Sequence, residues 1–216
     1  MPKPIDSFTK SMARVQNMMA LHAQLHGQPG RPAQVVSDIL RSALVLSVGA
    51  LDGLILEASI AAIPKALNKR LMGDTALKWI KDSPDDILAA MASGAPGPAF
   101  AAIARRNLDH HTFQNAQMIQ GHLAGLLGAT APWARAAHLL GAGPQPLALT
   151  ADGVRDKLQA FVLRRHRIAH SGDLTATGST RGITLPYVRE NVQIVMAVGQ
   201  ASCWVIEQRL SAPKPK

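Results

Sequence analysis

The stretch ILRSALVLSVGALDGLILEA, residues 39–58, decides the fold. Between residues 43 and 56 it is apolar on nearly all sides of a helix, whereas a helix at a protein surface has one polar face. This pattern predicts a helix over residues 33–60 at the centre of the core. We expect Pro64 to interrupt it, because an internal proline removes a helical hydrogen bond, with residues 65–71 extending it at an angle.

Composition favours helices throughout the chain. The 216 residues are 47% hydrophobic but only 4% aromatic. Low aromatic content disfavours strands, because strands prefer aromatic and β-branched residues, and the sequence contains no alternating pattern that would predict a strand over a helix. We expect an all-α antiparallel bundle with extra short helices, forming a single domain over residues 1–210 with a basic tail at 211–216. Further helices are predicted near residues 6–25, 99–113, 116–127, 133–140, 150–170 and 187–210, and Thr150 offers an N-cap for the helix that begins there. Short helices and loops are expected between 72 and 98, with one short amphipathic piece at 77–80.

Charge, cysteine content and hydrophobicity indicate which partners and which cellular compartment suit the protein. The net charge of +9 attracts polyanions such as nucleic acids. Cys203 is the single cysteine, so no internal disulfide can form. The N-terminus lacks an apolar signal core, and Asp52 and Glu57 interrupt the apolar stretch, where charges at membrane depth would be costly. We therefore expect a cytoplasmic protein without a membrane span.

The segment RRHRIAH, residues 164–170, is the candidate active site. Cations at a helix C-terminus also favour the helix dipole, which is the purely structural interpretation. In the functional interpretation, His170 transfers protons near neutral pH and Arg165 stabilises charge on a phosphoryl group. Arg164 and His166 would support these residues, and Arg167 would bind RNA. Such a set can cleave RNA without a metal or another cofactor.

The spacing within this segment raises a geometric difficulty. Residues five apart lie about 140° apart around a helix, so Arg165 and His170 do not share a face. The arginine side chain could reach round, the helix could end before His170, or a second protomer could complete the site, which is the arrangement we favour. His166 and His170 do share a face, and a metal would need a third ligand such as His110 or His111. We expect no metal site.

Two other groups of residues are candidates. Arg105 and Arg106, in RRNLDHH, predict a solvated helix face that could also line an RNA path. Asp52 lies inside the apolar stretch, where a buried carboxylate needs a partner. It could form a salt bridge with an arginine at the edge of the core, or it could orient Arg165 or His170.

With these residues in view, the chain resembles the HEPN superfamily and its RiboL-PSP-HEPN group. Three stretches carry the resemblance: residues 39–58, residues 111–137 and residues 164–210. The last holds the family's arginine–histidine motif, in which Arg165 and His170 match the residues associated with metal-independent RNA cleavage between two protomers.

The resemblance implies a homodimeric endoribonuclease that cuts RNA, with a role as a toxin or in phage defence and an antitoxin or other regulatory protein as a partner. Family members often have asparagine after the arginine, where this chain has His166. A related class carries a regulatory tyrosine where this chain has Gly172. Other HEPN domains only bind, so a non-catalytic RNA-binding or protein-interaction module is the alternative.

Overall fold

The chain forms an all-α fold, as its composition predicts. The computed structural model describes residues 3–26, 33–72, 76, 82–109, 112–113 and 115–213. Within these ranges there are eight helices and no strand. The helices are α1 (Pro4–Leu25), α2 (Gln34–Asn68), α3 (Pro84–Ala92), α4 (Pro96–Leu108), α5 (Ala116–Leu127), α6 (Trp133–Gly141), α7 (Ala151–Ser171) and α8 (Leu185–Ser211).

Helix α2 lies at the centre of the bundle, where the apolar stretch predicts it. It packs against α1, α4, α5, α7 and α8. Leu40, Leu44, Leu51 and Ile55 are among its fully buried side chains, and burying a side chain of this kind stabilises the fold by about 1.5–3 kcal/mol. By length and composition α2 is also apolar enough to cross a membrane, a property that the core helices of soluble proteins share.

The predicted interruption at Pro64 is wrong, because α2 continues to Asn68. An internal proline costs roughly 3 kcal/mol, but its neighbours Ile63 and Ala66 are completely buried and hold this part of the helix in the core. Gly97 of α4 lies directly against the proline ring, since a Cβ atom there would be 2.8 Å from the Pro64 Cβ. Tertiary packing thus outweighs the local preference.

Prolines begin helices in the region predicted as short helices and loops. Pro84 opens α3 behind the capping residue Ser83, whose hydroxyl accepts a hydrogen bond from the Asp86 backbone at 3.1 Å. Pro96 opens α4, three residues before the predicted start, because a proline loses no helical hydrogen bond in the first turn. Helix α4 ends at Leu108 instead of continuing to Phe113, and the short piece predicted at 77–80 lies outside the described residues.

Helices α7 and α8 run antiparallel and present the candidate site. Thr150 caps α7 by accepting a hydrogen bond from the Gly153 backbone, as predicted, and Gly172 ends the helix with a left-handed φ of 60°. Residues 172–184, called here the α7–α8 loop, contain one isolated bridge between Leu174 and Thr180. Helix α8 continues through Ser211, one residue into the predicted basic tail.

Candidate functional site

Helix α7 places Arg165 and His170 on different sides. The helix is continuous through Ser171, so it does not end before His170, and the two residues remain about 140° apart. Arg165 follows the buried Phe161 by one turn and is itself partly buried, whereas His170 is exposed. A single chain therefore does not bring the two side chains to one face.

The exposed side of this helix end carries the two histidines. Leu163, His166, Arg167 and His170 are all exposed and recur at helical spacing, and we call them the outer face of α7. The ring centres of His166 and His170 lie 6.0 Å apart. Burial lowers the pKa of His166, and the charges of Arg165 and His170 lower it further. A lowered pKa favours the neutral imidazole, which can accept a proton.

Two arginines of this segment have no partner among the residues that the structure describes. Neither Arg165 nor Arg167 forms an ion pair or a side-chain hydrogen bond there, and the Nε atom of Arg165 is buried without a hydrogen-bond acceptor. A guanidinium removed from water is costly unless it is paired. These side chains can therefore accept an external anion without first releasing a carboxylate.

Arg164 differs because a buried carboxylate holds it. Its guanidinium donates to Asp173 Oδ2 at 2.6 Å and to the Gly182 carbonyl at 2.9 Å. The same Oδ2 atom accepts a hydrogen bond from Arg41 Nε at 3.3 Å. The Asp173 side chain has no solvent exposure, and the Arg41 side chain is 7% exposed. We call Arg41, Arg164 and Asp173 the ion triad.

The ion triad fastens the α7–α8 loop to two helices. Arg41 belongs to α2 and also donates to the Arg181 carbonyl at 2.5 Å, while Arg164 belongs to α7. Asp173 has a left-handed φ of 62°, and its carbonyl accepts a hydrogen bond from the Arg181 backbone at 2.9 Å. Since a buried charge needs an opposite charge, these contacts define where the loop leaves α7.

Sequence reasoning missed Arg41 and Asp173. The signal was present for Arg41, which interrupts the apolar stretch of α2 in the same way as Asp52, whereas Asp173 lies in a polar stretch after the glycine that ends α7. Charged residues in such apolar surroundings require a partner. What the sequence does not contain is the identity of that partner, since 132 residues separate Arg41 from Asp173.

The remaining predicted residues form contacts of their own. Asp52 accepts a hydrogen bond from the Phe113 backbone at 2.6 Å, which holds the segment leading into α5. Arg105 binds both carboxylate oxygens of Glu57, at 2.6 and 2.7 Å, and Arg106 binds Asp82 at 2.6 Å. The two arginines lie on an exposed helix face, as expected, but an RNA phosphate would have to displace their carboxylate partners.

Within the described ranges, no group of three or more His, Cys, Asp or Glu side chains could hold a metal ion. His110 and His111, the third ligands considered above, lie outside the described residues. No protein-family model, no curated protein and no solved structure matches the chain.

Proposed function

We propose that this chain is a metal-independent endoribonuclease of the HEPN type and that Arg165 and His170 are its catalytic residues. One observation carries the proposal: guanidinium groups without a partner among the described residues lie together with exposed imidazoles at the C-terminal end of α7. The net charge of +9 adds a long-range attraction for RNA.

These groups can perform each step of RNA cleavage. His170 takes the proton of the 2′-hydroxyl, whose oxygen attacks the adjacent phosphorus atom. Arg165 stabilises the negative charge of the phosphorane. The bond to the 5′ oxygen then breaks, and the leaving oxygen takes a proton from an imidazolium. The products are a 2′,3′-cyclic phosphate and a 5′-hydroxyl end, and the reaction needs neither water nor a metal.

The proposed enzyme acts as a homodimer. One chain separates Arg165 from His170 around α7, so a second copy has to supply one of them to a shared site. The outer face of α7 offers a contact for that copy, since Leu163 is 50% exposed beside the two histidines. The resemblance to HEPN proteins adds a toxin or phage-defence role with an antitoxin or other regulatory partner.

A non-catalytic RNA-binding or protein-interaction module is the second candidate. The observation that favours it is the separation of Arg165 from His170 in one chain, because a monomer of this structure holds cations for RNA but no assembled catalytic pair. This candidate predicts binding without cleavage, and binding that survives His170→Ala.

Cleavage of a labelled RNA pool in EDTA separates the two candidates. We expect the wild type to cut and to leave 2′,3′-cyclic phosphate ends, and His170→Ala to abolish cutting. His138→Ala is the matched control, because His138 is an exposed histidine on α6. Equal cutting by wild type and His170→Ala would contradict the proposed site, and a protein that stays monomeric while it cuts would contradict the shared site.

A further inference from the structure

A cavity of about 650 Å³ lies between the first half of α2 and the end of α7. Its α2 wall contains Asp38 and Leu46, and its opposite wall contains Ile168 of α7 together with Gly172 and Leu174 of the α7–α8 loop. Small-molecule sites in proteins usually measure about 300–1,000 Å³ and combine apolar walls with a few polar groups. We call this space the α2–α7 cavity.

The α2–α7 cavity lies on the Arg165 side of α7. Ile168, which lines it, follows Arg165 by three residues, so the two side chains share one face of the helix. His170 follows Ile168 by two residues, about 200° around the helix, and therefore faces away from the cavity. A group bound in the cavity would lie about one helical turn from the proposed phosphate-stabilising arginine, while the second copy supplies the histidine.

Two acceptor atoms in the α2 wall are held in place side by side. Asp38 Oδ1 accepts hydrogen bonds from Gln34 Nε2 at 3.1 Å and from Arg41 Nη1 at 3.0 Å, and Arg41 is itself fixed by Asp173 in the ion triad. In the part of the chain that the structure describes, neither Asp38 Oδ2 nor Gln34 Oε1 accepts a hydrogen bond. The cavity therefore presents a carboxylate oxygen and an amide oxygen to a ligand.

Two neighbouring acceptors suit a ligand with two neighbouring N–H donors. Among the four RNA bases, only guanine has adjacent donors on its Watson–Crick edge, at N1 and at the N2 amino group, and proteins read single-stranded RNA at this edge. A phosphate group has no such donors, and the carboxylate would repel it. The faces of the base would meet the apolar side chains of the cavity, which are Val45, Leu46, Ile168 and Leu174.

We propose that the α2–α7 cavity binds a guanine base of the RNA, beside the phosphate being cleaved, and that Asp38 and Gln34 select this base. The inference rests on the proposed ribonuclease function and adds a specificity pocket on α2, which the arginine–histidine motif does not contain. Because Arg41 holds both Asp38 and Asp173, the ion triad also fixes the wall of this pocket.

Two 2′-O-methyl oligouridine strands test the base preference, since their blocked 2′ oxygens prevent cleavage. One strand carries a single guanine, and the other carries hypoxanthine, which lacks only the N2 amino group. Wild type should bind the guanine strand at least about fivefold more tightly, the discrimination that a good base contact provides. In Asp38→Asn the amide oxygen stays with Gln34 and Arg41, so the NH2 group faces the guanine donors, and the two strands should bind within about twofold of each other.

Asp152→Asn is the matched control. Asp152 forms the same kind of ion pair as Asp38, three residues before an arginine and at the same distance of 3.0 Å, but it lies in the first turn of α7, at the opposite end from the cavity. This variant has the same change of net charge and should keep the guanine preference. Ser42→Phe fills the cavity from an exposed position of its wall and should remove the preference while Asp38 remains.

The outcomes separate this inference from the proposed function. If wild type cuts RNA but binds the two strands alike, or if folded Asp38→Asn keeps the preference, the guanine pocket is wrong and the ribonuclease stands. If free guanosine binds wild type and not Asp38→Asn while the two strands bind alike, the cavity takes a free nucleoside and the RNA assignment is wrong. If wild type prefers the guanine strand but cuts no RNA, the ribonuclease is wrong and the pocket stands.

Discussion

Replacing Asp173 with asparagine should destabilise the protein by about 3 kcal/mol, because breaking a buried ion pair from one side typically costs about 3–5 kcal/mol. Asparagine has nearly the same shape and tolerates the left-handed φ of 62° at this position, so the change removes the charge and replaces one carboxylate oxygen with an amide NH2 group. The lower end of the range applies because both arginines keep other acceptors: Arg41 keeps Asp38 and the Arg181 carbonyl, and Arg164 keeps the Gly182 carbonyl.

Urea unfolding followed by circular dichroism measures this free energy directly, and thermal unfolding gives a second estimate. For a chain of this size, 3 kcal/mol corresponds to a drop in Tm of about 6–12 °C. Hydrogen exchange of the α7–α8 loop should accelerate in the same variant, because the ion triad fastens that loop to α2 and α7.

Asp156→Asn is the matched control for this prediction. Asp156 pairs with Arg155 at 3.3 Å but is 72% exposed, and exposed pairs contribute at most about 1 kcal/mol. A loss below 1 kcal/mol in Asp173→Asn, or an equal loss in both variants, would show that the ion triad does not hold the loop.

Two further perturbations test packing and titration elsewhere in the fold. Burial and then His26 lower the pKa of His22 from its usual 6.5, so the unfolded chain binds a proton that the folded chain resists. The free energy of unfolding should therefore fall as pH falls through about 6.5. Urea unfolding at pH 7.5 and 5.5 should show a smaller decrease in His22→Phe than in the wild type. An equal decrease in both proteins would contradict the assignment of this pH dependence to His22. Gly199→Ala places a Cβ 2.8 Å from Phe8 Cζ and should lower the free energy of unfolding in urea by about 1–3 kcal/mol. Gly53→Ala is the control, because its Cβ would meet nothing within 4 Å, and it should not destabilise the protein. Equal stabilities of the two variants would refute the close packing at Gly199.

Local patterns were sufficient to predict most of the helices. The all-round apolar stretch placed α2 in the core, and the capping chemistry of Thr150 defined the start of α7. Such signals act within a few residues, so they are readable in the sequence. The sequence could not predict that α2 continues through Pro64, because this depends on burial of Ile63 and on contact with Gly97 of another helix.

The candidate site was predictable in location but not in its connections. The clustered arginines and histidines predict a site at the end of α7, and the helix period predicts that Arg165 and His170 lie on different faces of that helix. The partner of Arg164, however, lies beyond a left-handed turn, and Arg41 joins it from α2. Contacts between distant parts of the chain follow from the packed fold and leave no periodic signal.

The ion triad also orders events during synthesis. Because Asp173 lies 132 positions after Arg41, helix α2 leaves the ribosome long before this carboxylate can join Asp38 of the same helix in pairing with Arg41. A chain that emerges N-terminal end first, at about 5–20 residues per second, therefore carries an incomplete core until the α7–α8 loop and then α8 are exposed. Assembly of the arginine and histidine face consequently waits until the α7–α8 loop and α8 have left the ribosome.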